Sequence, residues 1–282
     1  MRPDFLFIGP DKTGSSWLHA VLRQHPDCFV PAAKDIYFFD RYYDRGLDWY
    51  LRHFRDAPAA ARAVGELSHD YLFSAEAAAR IRHDLPQARL LTSLRHPVER
   101  SFSQYLFMLR NGITTVPFEQ AIEEIPAILD NSRYARHLSG YYALFPRAQI
   151  KVLFFDKLQA DPDGFARETF DFLGLSMIEG LDYRQQVLPA SRARNRWIAH
   201  LTHVLAWRAR DLGLGALVGK VKQSWVRDLL FRPYAAAERP RLAAATRARL
   251  TDRFAADVCR LEELVGVDLA HWKRQNGAVG RP

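Results

Sequence analysis

The stretch "GPDKTGSSW", residues 9 to 17, gathers residue types that together hold anions. Gly9 and Gly14 stand five apart, a single lysine lies between them, and two serines open a stretch with helical periodicity. A glycine loop running into a helix N-terminus presents unpaired backbone N–H groups and the positive end of the helix dipole, the arrangement that binds phosphate. The nucleotide loop GxxxxGK[ST] has the same glycine spacing. In this chain Ser15 stands where that loop requires lysine, and Lys12 sits inside the loop instead. That departure argues against an ordinary magnesium-dependent ATPase or GTPase. The bland alternative is a glycine turn with a serine N-cap and no ligand.

Other reactive residue types fall at comparable junctions. In "LRHPVERSFSQY", Arg95 ends an apolar run and Ser103 follows eight residues later; Pro97 suits a first helical position and Glu99 complements the dipole of the first turn. "LPASRARNRW" places Arg192, Arg194 and Arg196 after Pro189. Asp35 lies in "HPDCFVPAAKDIYFFDRYYDRGLDWY", and His69 in "GELSHDYLF". An imidazole with an ordinary pKa near 6.5 can take a proton at neutral pH.

The elements that must position these residues are read from periodicity. Apolar runs at 5–8, 89–94 and 150–155 each precede a helical pattern, at 15–25, 98–111 and 164–173. A fourth candidate strand, 63–66, precedes a polar turn and the alanine-rich helical stretch 75–84. Such alternation reads as a parallel α/β sheet with crossover helices, whose ligands sit at the carboxyl ends of the strands. Residues 240–272 carry a long helical pattern, and 197–232 mix apolar with basic positions. A single domain over 1–282 is expected, with a cofactor-binding α/β core at 1–197, a mainly helical part at 198–272 and a loose tail at 273–282.

Composition narrows the partners. The 282 residues are 48% hydrophobic, enough for a substantial core. The formal charge of +8 suggests an anionic partner, and 33 arginines against 7 lysines suit bidentate contact with phosphate or sulfate, although a base-composition bias explains the skew equally well. No apolar run reaches the roughly 20 residues of a membrane span, and the N-terminus lacks a secretory pattern, so the expected compartment is the cytoplasm. Cys28 and Cys259 lack the spacing of a disulfide framework or a zinc site.

"PDKTGSSWL" resembles the 5′-phosphosulfate loop of sulfotransferases that use 3′-phosphoadenosine 5′-phosphosulfate (PAPS), typically Pro-Lys-Ser-Gly-Thr-Thr-Trp. The resemblance implies that Thr13, Gly14, Ser15 and Ser16 hold the 5′-phosphate and that Lys12 contacts the oxygen bridging phosphate and sulfate. Trp17 is either an adenine-stacking residue or a core aromatic. Arg95 and Ser103 match the family's 3′-phosphate motif, and Arg192 and Arg194 fall in its late basic loop over the adenosine. Segment order and spacing match through about residues 3 to 197.

The acceptor stretch is similar to that of glycosaminoglycan (heparan sulfate)-type members, in which a glutamate before Phe-Phe-Asp serves as base. Asp35 takes that place one methylene short, Tyr37 stands where histidine is frequent, and Asp40 matches the closing aspartate. The lysine of the family's Glu-Lys-Thr-Pro segment is Leu67, so a second basic contact to the sulfuryl group is missing from that position. The resemblance implies Asp35 as the base, with His69 as the alternative; the bland readings are a loop carboxylate paired with Lys34 or an arginine, and a structural histidine. A sulfuryl group in transit carries less charge than a phosphoryl group, so Lys12 and oriented N–H groups can stabilise it, and a metal-free site is expected.

These readings define a P-loop-like central parallel sheet flanked by helices, with a helical C-terminal region. The implied activity is in-line transfer of a sulfuryl group from PAPS to a hydroxyl of a sugar or other small hydroxylated metabolite, releasing adenosine 3′,5′-bisphosphate (PAP). A carbohydrate or small-molecule acceptor is expected and nucleic acid is not; residues 197–232 could line the acceptor site, contact a membrane surface or simply pack. The alternatives are a P-loop kinase using ATP and magnesium, and a non-enzymatic basic module that binds polyanions.

Overall fold

The computed structural model describes residues 1–184, 191–193, 195–213, 218, 231–233 and 240–274. Five strands form one parallel sheet: β1 (Phe5–Gly9), β2 (Cys28–Phe29), β3 (Ala63–Leu67), β4 (Arg89–Leu94) and β5 (Ile150–Phe154), in the order β2-β3-β1-β4-β5. β1 and β3 are buried along their whole length, and β4 beyond Arg89, which is why they read as continuous apolar runs rather than as an alternation. Successive side chains still part to opposite faces. Leu6 and Ile8 join one core with Phe38, Tyr50, Val98 and Phe254, whereas Phe5 and Phe7 join a second with Trp17, Val21, Phe165 and Phe170.

β1 occupies the centre. From it the chain reaches β3 on one side by way of β2, then crosses to β4 and β5 on the other, so strand order reverses at β1. A crevice opens at such a reversal, outside the carboxyl ends of the strands. The segments after β1, β3 and β4 therefore meet there, and these are the segments carrying Lys12, His69 and Arg95.

Several boundaries differ from the sequence reading. The first helix, Ser15–Leu22, stops short of His25, because the residue before Pro26 is driven out of helical geometry. The pattern after β5 is two helices, Phe155–Ala160 and Pro162–Leu173, divided at Asp161, whose carboxylate accepts from the Gly164 N–H at 2.9 Å and caps the second. The two-residue β2 and the helices Phe118–Glu124, Ala127–Asp130 and Tyr134–Leu144 had no anticipated counterpart. The C-terminal pattern is a helix over Ala244–Val265, ended by Gly266 at φ 70° and followed by a turn that buries Trp272. Leu250 and Phe254 of that helix pack into the same core as the sheet. Among the described residues no helix is long and apolar enough to cross a membrane.

Candidate active site

The loop after β1 is built around two glycines. A Cβ on Gly9 would stand 2.0 Å from the His69 carbonyl oxygen, so only glycine lets β1 close against the segment after β3. Gly14 takes φ 92° and precedes helix Ser15–Leu22 without a side-chain cap, leaving the first N–H groups of that helix without intrahelical acceptors. The loop between is fixed by its own side chains. Thr13 Oγ1 donates to Pro10 O at 2.8 Å, Ser93 Oγ of β4 donates to Thr13 O at 2.8 Å, and buried Arg100 pairs with Asp11 at 2.5 Å.

Lys12, itself left-handed at φ 66°, places Nζ 3.7 Å from the centroid of Phe107. Burial pulls its ammonium down to about 7; Asp11 opposes this, and Arg110, Lys34 and Arg100 add repulsion. A cation so poorly solvated and surrounded by other cations is an electrostatic seat for an anion. The loop and its uncapped helix accordingly fit a phosphate or sulfate group.

Arg95 lies within reach of the same loop. Its Nη1 stands 3.5 Å from Lys12 O, its Nη2 lies 3.7 Å from Glu99 Oε2, and its guanidinium covers the Phe155 ring at 4.9 Å. Tyr134 donates its hydroxyl to Arg95 O at 2.8 Å. Glu99 also pairs with Arg247 from the C-terminal helix, a basic neighbour that no local motif announces. Half-buried Ser103 sits one turn before Phe107, the ring that Lys12 covers, on helix Pro97–Arg110, which begins two residues after Arg95.

Trp17 is 6% exposed, meets Phe165 edge to face at 5.6 Å and donates its indole N–H to Tyr183 O. These surroundings are those of a core aromatic, the second of the two roles weighed for it. Arg192 belongs to a short antiparallel ribbon, Ser191–Ala193 with Phe231–Pro233, that lies against helix Pro97–Arg110. Arg194 lies outside the described residues.

The two rival bases turn out to be partners. His69 Nδ1 lies 2.7 Å from Asp35 Oδ1, and Nε2 lies 3.2 Å from the Tyr37 hydroxyl. Burial alone would lower the imidazole pKa, but Asp35, Asp70 and Asp11 outweigh it and hold it above 6.5. Asp35 and Tyr37 take φ of 66° and 57°, a left-handed pair that bends the loop towards β3. Lys34, overlooked as a site residue because its only evident partner was the adjacent Asp35, donates to Ser15 Oγ at 2.8 Å and stands 3.8 Å from Asp35 Oδ1. It brings a second cation to the anion loop while Leu67 stays buried in the core.

Helix Arg196–Asp211 borders this cluster. Trp207 packs against Tyr37 at 5.4 Å, Arg41 covers Trp207 at 4.4 Å, His203 approaches Phe107 at 6.5 Å, and Tyr42 donates to Asp211 at 2.8 Å. Helix Arg196–Asp211 thus flanks Tyr37, the residue that meets His69.

Comparison with known proteins accords with this geometry. The family model described as "Sulfotransferase domain" matches residues 2–190. The crystal structure of a sulfotransferase from Alicyclobacillus acidocaldarius is similar with a TM-score of 0.70 and 27% identity, covering 97% of this chain and 100% of that one. Heparan sulfate glucosamine 3-O-sulfotransferase 3B1 of Mus musculus is 32% identical over 185 residues, 62% of this chain and 47% of that protein. Membrane-associated sulfotransferase kil1 of Dictyostelium discoideum is 36% identical over 110 residues, 38% of this chain and 23% of its own length. The chain thus matches less than half the length of these curated relatives. An anion loop with its lysine inside, an arginine after the neighbouring strand and a family match over most of the chain lead to one assignment: the chain belongs to the sulfotransferase family.

Proposed function

We propose that this chain transfers a sulfuryl group from PAPS to a hydroxyl of a sugar or another small hydroxylated metabolite. The observation that carries the reading is that Lys34 reaches both Ser15 Oγ of the anion loop, at 2.8 Å, and Asp35 Oδ1 of the Asp35–His69 pair, at 3.8 Å, so that a proton acceptor and an anion cradle border one crevice. The similarity to heparan sulfate enzymes supports a carbohydrate acceptor.

In this reading the open N–H groups at Gly14–Ser16 and the hydroxyls of Ser15 and Ser16 hold the 5′-phosphate, while the Thr13 hydroxyl, committed to Pro10 O, shapes the loop around it. Lys12 and Lys34 flank the phosphosulfate, and Arg95 with Ser103 holds the 3′-phosphate. Arg192 and Arg194 are kept as candidates to cover the adenosine. His69 Nε2 takes the proton of the acceptor hydroxyl while Asp35 fixes the ring through Nδ1 and stabilises the imidazolium. The Tyr37 hydroxyl marks where such a hydroxyl would donate. One S–O bond forms to the acceptor and one breaks to the phosphate, whose developing charge faces Lys12. Asp35 is one methylene shorter than the glutamate of the resembled motif and its Oδ1 is engaged by His69 at 2.7 Å, which supports His69 as the base.

A thermal-shift comparison tests the reading: PAP stabilises the protein, ATP with magnesium does not do so equally, and Arg95→Ala abolishes the PAP effect. Equal or greater stabilisation by ATP with magnesium would favour the kinase alternative. One further partner rests on its own observation. Helix Arg196–Asp211 turns Trp197, Ile198, Leu201 and Leu205 outward, with Trp197 73% exposed, which favours peripheral contact with a membrane surface by a chain otherwise expected in the cytoplasm.

A further inference from the structure

Within β3 the side chain of Glu66 is the exception to an apolar strand; it is 1% exposed and lies beneath the loop that carries Asp35. No cation among the described residues pairs with it. Three hydroxyls do: Ser68 Oγ donates to Oε2 at 2.6 Å, Tyr71 OH to Oε1 at 2.7 Å and Tyr50 OH to Oε1 at 3.3 Å. A buried carboxyl satisfied only by neutral donors is costly, and burial pushes it up to about 7 despite them.

Two of these hydroxyls have a second task. Ser68 Oγ accepts the Tyr37 N–H at 3.2 Å, and Tyr71 OH accepts the Phe38 N–H at 3.0 Å. Leu67 O takes the Asp35 N–H at 2.8 Å, completing a row of contacts along the end of β3. A hydroxyl owns one proton and can receive an N–H only if that proton points elsewhere. The acceptor-only carboxylate of Glu66 draws both protons away from the loop. Should Glu66 itself take a proton, Tyr50, whose hydroxyl makes no other bond among the described residues, can reverse to accept it. The two loop-holding hydroxyls would then be unchanged.

The loop so held is under strain. Asp35 and Tyr37 both occupy the left-handed region, which persists only where surrounding bonds over-determine it. We propose that Glu66 is the positioning residue of the acceptor loop: by orienting Ser68 and Tyr71 it fixes Asp35 against His69. Its catalytic consequence rests on the Asp35–His69 reading above, but the geometric claim is independent of donor and acceptor.

The test follows the His69 imidazole by NMR titration in the free full-length protein. The variants are Glu66→Gln, Ser68→Ala and Tyr71→Phe, with Tyr50→Phe as control. The amide introduced by Glu66→Gln keeps the shape of the carboxylate but must donate one N–H to a hydroxyl, turning a proton towards the loop. In the wild type His69 titrates above 6.5; in Glu66→Gln and Tyr71→Phe it falls towards or below that value, because Asp35 is no longer held against it while burial persists. Tyr50→Phe, which loses a bond to Glu66 but none to the loop, leaves it in place. PAP binding by calorimetry stays at the wild-type affinity in all four. If Glu66→Gln does not fold, Tyr71→Phe and Ser68→Ala against Tyr50→Phe decide the matter. An unmoved His69 in Tyr71→Phe and Ser68→Ala, or an equal shift in Tyr50→Phe, overturns the proposal. Failure of the wild type to bind PAP would instead count against the donor reading and leave the His69 comparison intact.

Discussion

The His69 imidazole lies between Asp35 and Tyr37, with Nδ1 2.7 Å from the carboxylate and Nε2 3.2 Å from the hydroxyl. The carboxylate fixes the tautomer that leaves Nε2 able to accept a proton. Because the folded environment raises the imidazole pKa, the ring is protonated, and inactive as a base, until pH exceeds its ordinary 6.5. Turnover should therefore rise with pH along a limb lying above 6.5. In Asp35→Asn the largest of the attractions is lost while burial and the pull of Asp70 and Asp11 remain, so the limb moves to lower pH and the rate falls. Profiles of kcat against pH for the two proteins check this; an unmoved limb removes the pairing from the mechanism.

Lys12 yields a second expectation. Its ammonium is pulled down to about 7, so near pH 8 the free protein carries it mostly neutral. A phosphate dianion in the loop favours the charged form, and PAP binding near pH 8 should take up about one proton and weaken as pH rises above 7. Calorimetry in buffers of different ionisation enthalpy measures the uptake. Lys12→Ala should abolish it and lower turnover by about 10²–10³ if the lysine acts chiefly in the transition state.

Gly9 should tolerate no side chain. At φ 113° and with a Cβ position 2.0 Å from the His69 carbonyl oxygen, Gly9→Ala forces apart β1 and the segment after β3. Loss of at least about 1–3 kcal/mol of stability, the cost of one strained residue, is expected in denaturant melts, together with weaker PAP binding. Unchanged stability and affinity would contradict the close approach of the two segments.

Legibility in the sequence followed local pattern. β1, β4 and helix Ala75–Asp84 could be bounded because their apolar runs and periodicity are continuous, and the Gly9–Gly14 spacing announced the loop. Cys28–Phe29 is too short a strand to leave a signal. Asp35 and His69 stood as rivals because they are 34 residues apart; their pairing depends on β2 lying beside β3 and on two non-glycine residues in left-handed geometry, which no composition marks. Lys34 and Arg247 were missed for the same reason. Each reaches its partner across the fold, Lys34 to Ser15 and Arg247 to Glu99.

The exposed ridge of helix Arg196–Asp211 makes a separate prediction. If Trp197, Leu201 and Leu205 meet a lipid surface, the protein should co-sediment with vesicles containing anionic lipid, and Leu201→Ser with Leu205→Ser should reduce that fraction without altering PAP affinity. Equal sedimentation of wild type and double variant would remove the membrane reading.

The most direct measurement of the central claim is the crystal structure of the protein with PAP. The account predicts the 5′-phosphate on the N–H groups of Gly14–Ser16 beside Lys12, and the 3′-phosphate within hydrogen-bond distance of the Arg95 guanidinium and Ser103. A nucleotide whose ribose phosphate lies away from Arg95, or whose 5′-phosphate lies outside the loop after β1, would contradict it.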